Sequence, residues 1–482
     1  MLTFLGKTLT TRRSKSSAPV HPCERNRRIF TGPLRDHRKR VATQADRTVV
    51  LYSRNRIDQT APMISTLTSF LALYTAVFSL LMGMGLLGTF LSLRMTMSGF
   101  SPMATGLIQA AYYLGLVIGS LVCQRLVQRV GHIRTFGALA AVTTATVMLH
   151  GMYFSAPVWG LLRLVTGMAN IGLYMVIESW LNECTAPEMR GRVFSIYMVL
   201  SYLGIGIGQL LLNLTDPMGA GPFFLAGMLL ALCLVPVSLT SAISPTLPEA
   251  NRIRLAALLR KTPLGMLGCL TAGLLNSGFY AMGPVFGHDI GLSVGQLSLF
   301  MGAAVFGGLS LQWPVGMLSD RFDRTLVLPV LAALIGILSL VVLFTAHGSF
   351  AGLLTAIAVY GGIGFTLYPV AVARGHDLFE PGQVVAVSSG LLFSYGVGAS
   401  VGPIMAAATM SAIGGPQGLF AYTALVAGAY AIMSAWLRTL ESVSIVPVED
   451  QGAFMPMKST ASSVAMVIDP RAEEPGEENP AA

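Results

Sequence analysis

The residues of this sequence that could do chemistry are a few polar side chains inside long apolar stretches. Arg163 lies in the run LLRLVTG, and Glu178 follows in ESWLNE. An arginine at membrane depth costs at least about 2.5 kcal/mol unless it faces a cavity or a partner. Its permanently charged guanidinium suits an anionic substrate group or a proton-relay carboxylate. The alternative is that Arg163 snorkels to the outer surface.

Glu178 is the acid nearest to the interior of the apolar stretches, which makes it the candidate for reversible protonation. Asn182 follows four residues later and shares its helix face. A helix rising 1.5 Å per residue separates Glu178 from Arg163 by roughly 22 Å, so the two cannot pair within one helix. The alternative is that Glu178, Glu183 and Asp377 lie at a membrane interface and pair with arginines of the loops.

Other polar residues in the apolar stretches are candidates for lining a cavity. Several of them are spaced by four residues, which places both members of a pair on one helix face. A single residue of this kind more often makes a helix-packing hydrogen bond. The candidates are Asn170, Tyr174, Asn276, Tyr280 and Tyr368, with Gln109, Tyr113 and Tyr360 beside them. The sequence shows no phosphate loop, nucleophile triad or metal-ligand cluster, so we expect neither an enzyme nor a cofactor or metal.

The elements that must position these residues are membrane-crossing helices. The 482 residues are 53% hydrophobic and 11% charged, against about 25% charged in a soluble chain. Uncharged runs repeatedly reach the length needed to cross a hydrocarbon core of about 30 Å. The predicted fold is an all-α membrane protein with twelve transmembrane helices in two six-helix bundles. We predict spans near residues 65–92, 104–126, 135–155, 158–181, 193–214, 222–243, 264–286, 294–317, 325–345, 350–373, 384–410 and 419–438.

The basic residues between the spans test this count. Of the 15 basic residues between positions 63 and 440, 13 fall in the connections after spans 2, 4, 6, 8 and 10 or at the end of span 12. We call the side that carries them the basic side. The positive-inside rule predicts that it faces the cytoplasm, together with both termini. We expect a monomer in the plasma membrane, which in a bacterium is the inner membrane.

The two ends of the chain differ in charge from the core. Residues 1–62 hold 14 Lys or Arg against 4 Asp or Glu, and residues 441–482 hold 2 against 8. We predict a basic, disordered extension at 1–62 and an acidic, disordered tail at 441–482. Because Met63 could open a membrane protein by itself, whether residues 1–62 belong to the working protein stays open. No binding to nucleic acid is expected, since the basic excess lies in the extension.

The two halves of the core are related by a repeat. The connection after span 8, GMLSDRFDRT, aligns with QRLVQRVGHI after span 2 at an offset of 192 residues. We therefore predict bundles at 63–243 and 264–440 with a cytoplasmic linker at 244–263. Gly316, Asp320, Arg321 and Arg324 in the first of these connections are candidates for a gate. A carboxylate at a helix end can pair with an arginine of a neighbouring element and hold one side closed. The alternative is that these charges only obey the positive-inside rule.

Several motifs resemble those of one transporter family. The connection after span 8 fits the signature G-x-L-x-D-R-x-x-R that the major facilitator superfamily carries after spans 2 and 8. Arg163 and Gly167 are similar to its span 4 motif. The stretches ESWLNE, RGRVFSIYMV, QWPVGMLSDRFDR and YPVAVARGHD resemble its YcaD-like branch, which has no settled substrate. The resemblance implies the twelve-helix fold of that family and transport by alternating access.

The predicted function is therefore secondary active transport of a small solute across the cytoplasmic membrane. No nucleotide-binding motif is present in the sequence, so a gradient must drive the cycle, and protons are the simplest coupling ion. Uptake and efflux cannot be separated from these residues. The alternative function is a membrane sensor or receptor that keeps the transporter fold without transport, because a fold does not fix function.

Overall fold

The structure is a computed structural model that describes residues 70–183, 185, 189–239, 255–379, 383–440, 445–452 and 454–457. The predicted N-terminal extension lies outside these residues. Within them, twelve helices are long and apolar enough to cross a membrane. They are Phe70–Met97, Pro102–Val130, His132–Met152, Ala156–Asn182, Arg190–Leu214, Gly221–Ser238, Pro263–Asp289, Val294–Arg321, Arg324–Thr345, Phe350–His376, Ala386–Ile413 and Gly418–Leu440. We number them spans 1 to 12.

The number and order of the predicted spans are confirmed. Span 1 extends beyond its predicted end near residue 92 and includes Arg94, whose Nη1 donates to the carbonyl oxygen of Pro217 at 3.0 Å. The connections after spans 9 and 11 have local causes. Ser349 caps span 10 by accepting from the Gly352 amide, and Gly414 ends span 11 in the left-handed conformation that glycine adopts without strain. A short helix, Leu255–Lys261, lies in the predicted linker.

Span 10 is interrupted near its middle. One helix ends at Gly364 and the next begins at Leu367, so Phe365 and Thr366 lie at the break. Pro369 explains this position, because a proline has no amide hydrogen and its ring clashes with the carbonyl group four residues earlier, which is that of Phe365. Broken helices within a membrane occur where the freed backbone is buried in protein or lines a cavity.

Glycines allow equivalent helices in the two halves to pack closely. A Cβ added at Gly115 would overlap the carbonyl oxygen of Leu164, and one added at Gly167 would overlap that of Tyr112. These two glycines let spans 2 and 4 pack closely against each other. Gly307 and Gly361 make the same kind of contact between spans 8 and 10, at positions 192 and 194 residues later. The repeat read from the loops is thus present in helix packing as well.

The two halves meet along two pairs of spans. Span 2 packs on span 11, where a Cβ at Gly106 would overlap the carbonyl oxygen of Pro403. Span 5 packs on span 8, and Asn213 Nδ2 donates to Ser298 Oγ at 2.6 Å near the side opposite the basic side. These seams enclose the space described next.

Candidate functional site

A cavity of about 120 Å³ lies between the two halves. On this measure each water needs roughly 10–15 Å³, so the cavity holds about ten water molecules or a compact solute. Spans 1, 2, 4 and 5 of the first half and spans 7 and 10 of the second half contribute side chains to it. Those lining it include Thr89, Gln109, Tyr112, Tyr113, Arg163, Tyr174, Tyr202, Gln209, Asn276, Tyr280 and Phe365.

Arg163 brings the charge of this cavity. Its side chain is 3% exposed, and its Cζ lies 4.2 Å from the centre of the Tyr112 ring. The guanidinium therefore stacks on an aromatic face rather than extending to the membrane surface. Its Nε and Nη1 have no hydrogen-bond partner among the described residues. No Asp or Glu stands among the described residues that line the cavity.

Five further candidates from the sequence also reach the cavity wall. Gln109, Tyr113, Tyr174 and Asn276 line it, and Tyr280 stacks on Phe365 with ring centres 5.4 Å apart and planes 11° apart. Asn170 stands behind the wall, where its Nδ2 donates to the Tyr112 hydroxyl at 3.0 Å. The structure brings these residues together because spans 2, 4 and 7 present one polar face each to the same space.

Sequence reasoning missed several residues of the wall. Phe365 carries no signal of its own, and only the proline four residues later marks the break that exposes it. Gln209 could have been found as a polar residue within GIGIGQ; its Nε2 donates to the Gly85 carbonyl oxygen at 3.1 Å. Tyr112 and Tyr202 resemble ordinary packing aromatics, and only their position shows that they line the cavity.

Glu178 lies outside the cavity, one helical turn beyond Tyr174 toward the basic side. Its side chain is fully buried, and its Oε1 accepts from the Tyr197 hydroxyl at 2.7 Å. Tyr368 of the second half is buried, and its hydroxyl group has no hydrogen-bond partner among the described residues. Asn182 follows on the same helix face. The helix of span 4 ends at Glu183, whose side chain lies outside the described part of the chain.

An ion cluster forms on the basic side. Arg324, at the start of span 9, is fully buried; its Nη2 lies 2.6 Å from Asp320 Oδ1 and its Nη1 lies 2.5 Å from Asp377 Oδ1. Asp377 thus pairs with an arginine of span 9. The three groups come from spans 8, 9 and 10, so this cluster lies inside the second half. Arg321 is exposed, and Gly316 faces the ring of Phe454.

A segment of the C-terminal tail packs against this cluster. We call residues 445–452 and 454–457 the tail segment. The tail segment belongs to residues 441–482, for which we predict disorder. Within it Met455 is 9% and Met457 2% exposed, and its backbone bonds to Arg324 and Asp320.

Comparison with known proteins agrees with this architecture. The fold is similar to the crystal structure of the nucleoside transporter NupG, with a TM-score of 0.65, 13% identity and coverage of 77% of this chain and 98% of that one. A bacterial homologue of the human lysosomal transporter Spinster, in an inward-facing and occupied conformation, gives 0.62 at 15% identity, covering 80% and 97%. At these identities the likeness shows the fold.

Sequence relatives cover most of the chain. An uncharacterized MFS-type transporter YcaD from Escherichia coli O139:H28 (strain E24377A / ETEC) is 29% identical over 355 residues, 73% of this chain and 89% of the relative. An uncharacterized MFS-type transporter from Enterobacter sp. (strain 638) is 29% identical over 346 residues, which cover 70% of this chain and 88% of the relative. The sequence profile of the Major Facilitator Superfamily matches residues 73–373 and 265–468. This chain, a multi-pass membrane protein whose described residues include twelve helices able to span a membrane, therefore belongs to the major facilitator superfamily.

Proposed function

We propose that this membrane transporter carries a small solute by alternating access through the cavity between its halves. The observation that carries the proposal is that both halves supply the cavity wall, with Arg163 on one side and Asn276 and Tyr280 on the other. A solute held there contacts both bundles, so rocking one bundle against the other would expose it first to one side and then to the other.

Within this proposal Glu178 is the coupling residue. The carboxylate is buried beside the cavity, and Tyr174, one turn away, lies in the cavity wall. A buried carboxylate is stable in a membrane as an acid or as a hydrogen-bonded anion. Proton uptake and release at Glu178 would therefore change with its access to water as the bundles move. Hydroxyl groups of Tyr197 and Tyr368 would stabilise the charged form of Glu178.

We further propose that the basic side faces the cytoplasm of a bacterial cell and that Gly316, Asp320, Arg321 and Arg324 act in its closure. The support is the placement of the arginines and the ion cluster around Arg324. Asp377 joins the gate as the second carboxylate of that arginine. We propose that Asn170 positions Tyr112, whose hydroxyl group accepts its hydrogen bond. Asn182, on the helix face of Glu178, is proposed to position the groups around that carboxylate.

The test begins with a metabolite and toxin screen of a deletion strain, followed by transport of each hit in proteoliposomes with and without a pH gradient. The proposal expects that a pH gradient drives accumulation by the wild-type protein. Glu178→Gln should keep exchange of the hit across the membrane but lose this accumulation, because a glutamine cannot carry the proton.

The matched control is Asp289→Asn, since Asp289 is an exposed acid at the opposite side. Accumulation by Glu178→Gln at the wild-type rate would refute the coupling role. If no gradient moves any hit, the transport proposal fails and the sensor or receptor function is favoured.

A further inference from the structure

The donor groups of Arg163 that face the cavity point to the chemistry of the solute. The flat face of the Arg163 guanidinium stacks on the Tyr112 ring. This contact uses none of the guanidinium N–H groups, which point outward in its plane and need other partners. Nε and Nη1, which lie on different edges of the guanidinium, are both buried without a hydrogen-bond partner among the described residues. A carboxylate that bridges Nη2 and either of them would supply one of the missing partners. A buried charge is stable only when it is paired and hydrogen-bonded, so the cavity has a place for an anion.

The rest of the wall limits the shape of that anion. Tyr280 and Phe365 form a stacked pair on the second half, and Tyr112 and Tyr113 face each other edge-on at 5.3 Å on the first half. Aromatic rings pack favourably on other planar groups. The volume fits a solute of roughly ten heavy atoms, taking one such atom per water.

We propose that the transported solute is a compact, planar monocarboxylate whose carboxylate binds the edge of Arg163. This inference rests on the proposed function, because it assigns the solute of that same cavity. The described residues that line the cavity include one arginine and no acid, so they carry a single positive charge. One carboxylate in a bidentate pair would neutralise it. Asn276, whose side-chain amide can donate, lines the same cavity.

The test measures binding to the purified full-length protein in detergent by thermal unfolding, without any gradient. The probes are benzoate and nicotinate, each compared with its uncharged amide, benzamide and nicotinamide. We expect the two acids to raise the unfolding midpoint in a concentration-dependent way and the amides to have no effect. Arg163→Gln should weaken the binding of the acids about ten- to a hundredfold, the range for hydrogen bonds to a charged group.

Two further variants keep this test decisive. Arg163→Lys retains the positive charge but loses the pair of N–H donors that binds both oxygens of a carboxylate. It should bind the acids more weakly than the wild type does and still prefer them to the amides. Arg94→Gln, at an arginine of span 1 that bonds to a loop carbonyl group, should bind as the wild type does. Equal binding of acids and amides, binding unchanged in Arg163→Gln, or no effect of either acid would overturn the inference.

This outcome is separable from that of the transport assay. Acid binding that depends on Arg163, without transport of any compound, would refute the proposed function and keep the anion site. Transport of an uncharged compound through the cavity, without binding of acids, would keep the proposed function and refute the anion site.

A second, independent observation is the position of the tail segment. Arg324 Nη2 donates to the Gly452 carbonyl oxygen at 2.6 Å, and the Gly452 amide donates to Asp377 Oδ1 at 3.2 Å. The Phe454 amide donates to Asp320 Oδ1 at 2.9 Å. The tail backbone thus bonds to all three members of the ion cluster.

The end of the tail segment reaches close to the cavity. Gln312 of span 8 donates from its Nε2 to the Met457 carbonyl oxygen at 3.0 Å and to the Tyr202 hydroxyl at 3.3 Å. Tyr202 belongs to span 5 of the other half and lines the cavity. Met457 is therefore separated from the cavity wall by one glutamine, at a seam where the two halves meet.

We infer that the tail segment is a built-in plug that closes the cavity on the basic side and must leave before a solute can pass there. Separation of spans 5 and 8 on this side would break the Gln312 bridge to Met457. The bonds to Asp320, Arg324 and Asp377 hold the plug in place from the second half. Gly316 fits this role, because any larger side chain there would overlap the ring of Phe454.

The test is the rate at which a cysteine in the cavity reacts with a membrane-impermeant maleimide added from the basic side in inside-out vesicles. The reporter is Ala281→Cys, a small cavity-lining residue, in the full-length chain with its five natural cysteines replaced. Phe454→Asp places a second carboxylate beside Asp320 and should expel the segment, raising the labelling rate about tenfold if the loss is near 1.4 kcal/mol.

The control is Val448→Asp, the same change at an exposed position of the tail segment, which should label at the starting rate. Ending the chain after residue 444 should label as fast as Phe454→Asp, and adding a peptide of residues 445–457 should restore protection. Ending it after residue 457 should change nothing. Labelling of Phe454→Asp at the starting rate, or equal acceleration by Val448→Asp, would overturn the plug.

Discussion

Replacing Asp377 by asparagine tests whether the ion cluster is held together by its buried member. Asp377 and Asp320 bind the same guanidinium at 2.5 and 2.6 Å, yet their side chains are 1% and 37% exposed. The bond lengths alone would make the two carboxylates equivalent. Their burial makes them different, because solvent screens the exposed pair and not the buried one.

The expected magnitudes follow from this difference. Asp377→Asn keeps the shape and an acceptor oxygen but removes the buried charge beside Arg324, which Asp320 still partly compensates. We expect a loss of about 1.5–3 kcal/mol in the free energy of unfolding, the range for a hydrogen bond to a charged group. Asp320→Asn removes a half-exposed pair and should cost about 1 kcal/mol or less.

The assay is the midpoint of thermal unfolding of each purified variant in one detergent, with the double variant included. The midpoint should fall more for Asp377→Asn than for Asp320→Asn. In the double variant the two effects should not add, because Arg324 then loses both anions and becomes an unpaired buried charge. An equal or larger effect of Asp320→Asn would refute the reasoning from burial.

Three further variants test other parts of the account. Gly167→Ala should lower the free energy of unfolding by about 1–3 kcal/mol, because the added Cβ would overlap the Tyr112 carbonyl oxygen. The control is Gly160→Ala, where the space is open and the unfolding midpoint should stay unchanged. Asp320→Asn should slow transport in proteoliposomes while inserting normally, and wild-type rates would refute its part in the gate. Pro369→Ala should restore helical hydrogen bonding at the break in span 10 and reduce transport without loss of stability; a lower midpoint would contradict this.

Hydropathy sufficed for the spans because each must satisfy its own backbone within the apolar layer. The gap between the predicted spans 325–345 and 350–373 also has a local cause, because Ser349 caps the start of the second helix. Arg163 was identifiable for a similar reason, since its cost in an apolar run demands a cavity or a partner.

The cavity wall, the ion cluster and the position of the tail segment depend on tertiary contacts, which a local sequence pattern does not show. Tyr202 and Phe365 are aromatic residues in apolar helices, and whether such a residue packs or lines a cavity is decided by its neighbours. The pairing of Arg324 with Asp377 joins residues 53 positions apart. Met455 and Met457 are too few to give a periodic signal, and the bonds of Gly452 and Phe454 to the ion cluster join residues far apart in the chain.

The central claim is that the two halves open the cavity alternately, and inter-spin distances measured on both sides of the membrane test it most directly. One spin-label pair at Val130 and Phe322 would span the halves on the basic side, and a second at Phe154 and Phe344 would span them on the opposite side; all four residues are exposed. When the pH is changed or a transported solute is added, the account predicts that one distance lengthens as the other shortens. Distances that both stay constant, or that change with the same sign, would contradict it.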